Sequence, residues 1–121
     1  MELYNKLSKE EGRKRLMEEP FKRKTISFYR YVIIKNPQFF RDHLYVELNK
    51  LNCFGRIYVA REGINAQMSV PEHNWDTFIE CLEQIDYLKN MPIKVALEDD
   101  GKSFYKLAIK NRKKILADGL D

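Results

Sequence analysis

The 121-residue chain holds only two cysteines, Cys53 and Cys81, and they do not form a Cys-x-x-Cys pair. A small secreted domain built on disulfides carries more cysteine in tighter patterns. The shortage predicts a reduced, cytoplasmic protein. Histidine is equally scarce: His43 and His73 lie far apart, with no cysteine or carboxylate at ligand spacing, so no metal site is expected. No run approaches the roughly 18 apolar residues of a membrane span. The opening Met1-Glu2-Leu3-Tyr4-Asn5-Lys6 lacks the apolar core of a signal peptide. Neither a membrane partner nor export is expected. The sequence also lacks internal repeats and low-complexity tracts.

What is present is enough for a core. Hydrophobic residues make up 44% of the chain and aromatics 12%, which argues against disorder, and the length suits one domain. The formal net charge of +4 permits a nucleic-acid partner without requiring one.

The apolar pattern divides the chain. Residues 1–20 are polar, and the run Lys9-Glu10-Glu11-Gly12-Arg13-Lys14-Arg15 reads as a short helix closed by Pro20. We expect a weakly ordered helical extension there. Thr25 to Ile34 is β-branched and aromatic and reads as a strand, although Arg30 breaks its alternation. Asn36-Pro37 starts a helix, with a favoured cap and a proline at the first position. Phe40, Leu44, Leu48 and Leu51 give its apolar stripe. Strands follow over Arg56 to Ala60 and Ile64 to Val70, joined by Arg61-Glu62-Gly63, a connection of hairpin length. Pro71-Glu72 opens a second helix carrying Trp75, Phe78, Ile79 and Leu82. Ile93, Val95 and Leu97 mark a fourth strand, Asp99-Asp100-Gly101 a turn, and Tyr105, Leu107 and Ile109 a fifth strand.

That order, β-α-β-β-α-β and one further strand, predicts an α+β ferredoxin-like domain of the acylphosphatase-like kind. Two helices would cover one face of an antiparallel sheet, with an extra C-terminal strand. The domain is expected over residues 21–112. The architecture hosts many functions and decides none.

Four segments carry a family likeness: Thr25 to Tyr31, Phe54 to Gln67, Asp99 to Phe104 and Lys110 to Asp121. Together they resemble the N-terminal region of the bacterial rhodanese-containing proteins that hydroxylate the wobble uridine of tRNA. The resemblance implies a non-catalytic domain of a tRNA uridine 5-hydroxylase. Residues 113–121 would begin a linker to a rhodanese domain, and the family's reactive cysteine would lie in that domain. It implies an oxidoreductase activity for the parent protein only, with tRNA and the downstream rhodanese domain as partners.

Cys81 lies inside the second helix and Cys53 at the end of the first, where free cysteine is usually a packing residue. Acylphosphatases hold phosphate in a glycine-rich loop after the first strand. Here that segment, Val32-Ile33-Ile34-Lys35-Asn36-Pro37, has no glycine, so the anion nest is missing. No catalytic residue and no cofactor is expected. Asp99 and Asp100 read as a solvated turn.

The candidate contacts are two basic clusters and a set of outward residues. Lys22, Arg23 and Lys24 precede the first strand; Lys110, Arg112, Lys113 and Lys114 follow the last. Each phosphate contact would add sequence-blind affinity. If Ile26, Phe28, Ile57 and Val59 face the core, then Tyr29, Tyr31, Tyr58, Asn65 and Gln67 face outward beside Arg61. A polar sheet face bearing tyrosines suits the stacking of unpaired bases. The same face could equally be covered by residues 1–20 or by the following domain. The alternative function is therefore intramolecular docking or dimerisation that supports the rhodanese domain.

Overall fold

The computed structural model describes residues 8–97 and 99–115. The expected extension and linker therefore fall partly outside the described residues, at 1–7 and 116–121.

Helix α1 (Lys9–Glu18) begins at Ser8, whose hydroxyl oxygen accepts the Glu11 N–H at 3.2 Å and donates to the Glu11 carboxylate at 3.0 Å. This Ser-x-x-Glu pairing satisfies donors that the first turn leaves open. The helix ends before Pro20 and buries Leu16 and Gly12. The Tyr105 ring lies so close to Gly12 that an added Cβ would overlap it. A glycine is a poor helix former, but here it lets the helix backbone rest on an aromatic ring.

Five strands form one sheet in the order β4-β1-β3-β2-β5. Strand β1 (Arg23–Tyr31) pairs antiparallel with β3 (Gly63–Pro71) and with β4 (Lys94–Val95). Strand β2 (Phe54–Ala60) pairs antiparallel with β3 and parallel with β5 (Leu107–Asn111). The first four strands have the expected ferredoxin-like arrangement. The extra strand runs parallel to its neighbour, so the whole sheet is mixed rather than antiparallel throughout.

Helices α2 (Pro37–Lys50) and α3 (Trp75–Glu83) lie over one face. The Asn36 side chain caps α2 by accepting the Phe39 N–H at 3.1 Å. Leu44 and Leu48 of α2 and Phe78 and Leu82 of α3 meet Ile26, Phe28, Ile57, Val59, Ile64 and Met68 of the sheet in one buried cluster. Each such fully buried side chain contributes about 1.5–3 kcal/mol. Arg30 points to the same side, yet it carries its own partners. Its guanidinium donates to the carbonyls of Lys89 at 2.7 Å and Tyr87 at 3.3 Å. The break in alternation at Arg30 is thus a clamp on the segment after α3.

Several boundaries move from their sequence positions. Pro71 closes β3, opposite Arg23, and a 3-10 turn (Glu72–Asn74) comes before α3. Strand β4 has only two residues; Ile93 packs against the core and Val95 lies opposite Ile26, as the alternation predicts, but Leu97 is 91% exposed and falls outside it. The last backbone bond of this segment to β1 runs from the Ala96 N–H to the Thr25 carbonyl, and Asp99 then accepts from the Thr25 hydroxyl. Tyr105 stands before β5, not in it, held against α1. Gly63 has φ of 153°, and a Cβ there would strike the Arg30 carbonyl oxygen, so the hairpin requires glycine.

Candidate nucleic-acid interface

The face away from α2 and α3 is built in rows by the strand register. In one row Tyr29 lies opposite Asn65, Asn65 opposite Tyr58, and Tyr58 opposite Lys110. One pleat away, Lys94 lies opposite Ser27, Ser27 opposite Gln67, and Gln67 opposite Arg56. Side chains alternate along a strand, so both rows share this face. Tyr29 and Tyr31 are 62% and 58% exposed, with ring centroids 6.4 Å apart at an interplanar angle of 84°.

Part of the face is closed from one end. Arg23 is 3% exposed and sits beneath α1. Its guanidinium grips both Glu19 carboxylate oxygens at 2.8 Å, donates to the Asn52 carbonyl at 2.9 Å and to Ser69 Oγ at 3.3 Å, and stacks 4.0 Å from the Phe54 ring centre. Arg23 therefore leaves the set of candidate phosphate contacts: its donors are spent inside the fold. Asn52 takes part through a positive φ of 58° at the end of α2, a conformation asparagine tolerates. Lys102 supports the same corner, donating to the Leu16 carbonyl at 3.0 Å. Asp99 accepts from Thr25 Oγ1 at 2.6 Å and from the Gly101 N–H at 2.7 Å. These hydrogen bonds, the Thr25 one first, hold its carboxyl below the usual range. The resulting stability is present above the ordinary carboxylate pKa and fades as pH falls through the lowered one.

A strap crosses the face at the opposite end. The Arg112 guanidinium lies 5.0 Å from the Tyr58 ring centre. Ile115 is 1% exposed; its carbonyl accepts from the Asn65 amide at 3.0 Å, and its N–H donates to Glu62 at 3.1 Å. Tyr58 and Asn65 lie on the outward face, as the alternation predicts. The strap half-buries Tyr58 and engages one Asn65 donor.

The cations divide by end. Arg61 in the hairpin turn, Lys110, Arg112, Lys113 and Lys114 gather near the Tyr31 end, since the Arg112 N–H bonds the Val59 carbonyl. Lys22 sits at the far end of β1, where its carbonyl accepts the Glu72 N–H. Lys24 turns to the helix side, its ammonium 4.6 Å over the Trp75 ring. The first basic cluster is thus dispersed: one residue is buried, one faces the other side and one stands apart. The second remains exposed along the strap.

Between the two covers a trough stays open. A recess of about 220 Å³ is lined by Thr25, Ser27, Gln67, Lys94, Ser103 and Phe104. A smaller one of about 90 Å³ is lined by Arg56, Tyr58, Asn65 and Gln67. Gln67 borders both. A third hollow of about 640 Å³ runs along β1 by Tyr29, Tyr31, Pro92 and Ile93. Gln67 is on the outward face as expected, though not as a candidate contact; Ser27, Arg56, Lys94 and Phe104 carry no sequence signal of a site. The alternation of β3 places Gln67 on this face. Lys94 and Phe104 arrive only through the β4 register and the loop after Gly101.

Burial pushes the Cys53 thiol up to about 12, against a partial lowering by Arg23, and burial likewise raises Cys81. A thiolate is the reactive form, so Cys53 should resist iodoacetamide at pH 8 in the folded chain, where roughly one thiol in ten thousand is ionised. Mass spectrometry of the alkylated protein reads this directly; quick modification at Cys53 before unfolding would contradict it. His43 and His73 are exposed. Among the described residues no cluster of three or more His, Cys, Asp or Glu is placed to hold a metal, and no helix is long and apolar enough to cross a membrane.

A ferredoxin-like sheet with an extra parallel strand and an open, tyrosine-bearing face is a small α+β module of the acylphosphatase-like kind. Residues 23–115 match the UPF0176 acylphosphatase-like domain, and the chain belongs to that family. It is 56% identical over 119 residues to the tRNA uridine(34) hydroxylase of Leptospira interrogans, covering 98% of this chain and 32% of that protein. The enzymes of the same name from Photorhabdus laumondii and Pectobacterium atrosepticum are 47% and 48% identical over 120 residues, again across 98% of this chain and 34% of theirs. The chain thus corresponds to the N-terminal domain of such proteins and spans about a third of their length. Among solved structures, BlrB, a BLUF protein in its dark state, superposes with a TM-score of 0.50 at 13% identity, over 83% of this chain and 79% of that one. That likeness is one of fold.

Proposed function

We propose that this chain serves as the tRNA-contacting domain of a tRNA uridine(34) hydroxylase and contributes surface rather than reacting groups. The observation that carries the proposal is the open trough: a polar sheet floor with two exposed tyrosines, next to a strap of unpaired cations. Lys110, Lys113 and Lys114 have no partner among the described residues, as phosphate-binding lysines should in the free state. The relatives are named for tRNA uridine(34) hydroxylation, which supports tRNA as the partner. Their remaining length is where the reacting groups are expected, in keeping with the burial that raises both thiol pKa values here.

The test is tRNA binding by this chain and by Lys113→Glu/Lys114→Glu at two salt concentrations. Wild-type affinity should fall steeply with salt, and the double variant should bind at least tenfold more weakly with a shallower salt slope, since each lost phosphate contact removes about 0.7–0.9 from it. Binding indifferent to both salt and charge reversal overturns the proposal.

A further inference from the structure

The recess beside Gln67 has a more specific construction than a general stacking surface requires. Ser27, Gln67 and Lys94 lie side by side on three adjacent strands. None of the three has a hydrogen-bonding or ionic partner among the described residues. Three other polar residues of this face are engaged: Thr25 with Asp99, Asn65 with Ile115, Arg23 with Glu19. The unengaged trio lines the recess of about 220 Å³, which Phe104 walls on one side. The Arg56 guanidinium lies 5.8 Å from the Phe104 ring centre. Tyr29 stands one pleat further along the same face as Ser27.

We propose that this recess admits a single unpaired nucleobase and reads its edge, making Gln67 a specificity-determining residue; this rests on the tRNA-contact reading above. A carboxamide offers both a donor and an acceptor in one plane, which matches the paired polar atoms of a base edge. The Ser27 hydroxyl supplies either role next to it. Lys94, at the rim of the recess, meets the phosphate of the same nucleotide. Tyr29 and Tyr31 receive the neighbouring base by stacking. A base must be unstacked to present its edge in this way, so the ligand class is single-stranded RNA, as in a loop, rather than a duplex.

The experiment compares this chain and Gln67→Ala for binding to short single-stranded RNAs differing at one central position: uridine, cytidine, adenosine, guanosine or an abasic site. The wild-type chain should prefer at least one base over the abasic strand by about tenfold, the scale of one good bidentate contact. Gln67→Ala should erase most of that preference and leave abasic-strand affinity unchanged. Because Gln67 is exposed, its loss should leave the melting temperature in place. RNA bound without distinction between base and abasic site overturns the pocket and leaves the tRNA-contact reading standing. A base preference that survives Gln67→Ala overturns the assignment to Gln67. Absence of any RNA binding sinks the broader reading, and the pocket with it.

Discussion

Replacing Arg23 with methionine is expected to cost the domain about 3–5 kcal/mol, the usual penalty for removing one partner of a buried ion pair. The size follows from what is stranded. The Arg23 side chain is fully buried and that of Glu19 is 10% exposed. Without the guanidinium, the Glu19 carboxylate retains only Lys102 at 3.6 Å, and the Asn52 carbonyl loses its Arg23 donor. Domains of this kind have total stabilities of about 5–15 kcal/mol, so the variant should unfold at clearly lower urea concentration. The double variant Arg23→Met/Glu19→Leu should recover much of the loss, because removing both charges removes the stranded one. Urea midpoints of the two variants decide it: a single variant as stable as wild type would show that the guanidinium contributes no net stability.

The second large effect concerns the tyrosines. Tyr29→Ala/Tyr31→Ala should weaken binding of single-stranded RNA at least tenfold, since each base stacked on an aromatic ring is worth about 1–3 kcal/mol. Both rings are more than half exposed, so folding should hold within about 0.5 kcal/mol. Replacing the same pair by phenylalanine should keep most of the affinity, because stacking needs the ring and not the hydroxyl. Fluorescence anisotropy with a labelled oligonucleotide distinguishes the cases. Full affinity in the alanine pair would remove the tyrosines from the interface.

The sequence was most legible where one local pattern dominates. The β2–β3 hairpin is readable because Ile64, Ala66, Met68 and Val70 alternate with polar residues and a glycine sits where only glycine fits. Helix α2 is readable from Asn36-Pro37 and its apolar spacing. The candidate site was less so, for reasons that particular residues show. Lys22, Arg23 and Lys24 form a uniform basic triplet in sequence, yet alternation along a strand sends neighbours to opposite faces. What separates Arg23 from the others is Glu19, Asn52 and Ser69, and only the folded chain brings these together. The strap could not be read either. Ile115 follows a run of cations that looks fully solvated, and its burial depends on Glu62 and Asn65 from the hairpin. Strand β4 is shorter than its pattern because Leu97 lies beyond the point where the chain leaves the sheet.

The strand order also sets a sequence of events in assembly. Only β2 and β3 are neighbours both in the chain and in the sheet with a short turn between them. Strand β1 must find β3 across the whole of α2 and β2, and β4 must then return to β1 from the far side of α3. Closing such long loops costs chain entropy before any pairing compensates. The Arg61-Glu62-Gly63 turn is thus the natural point of nucleation. The same turn later anchors Ile115 through Glu62, so the earliest contacts to form provide the surface on which the last segment settles.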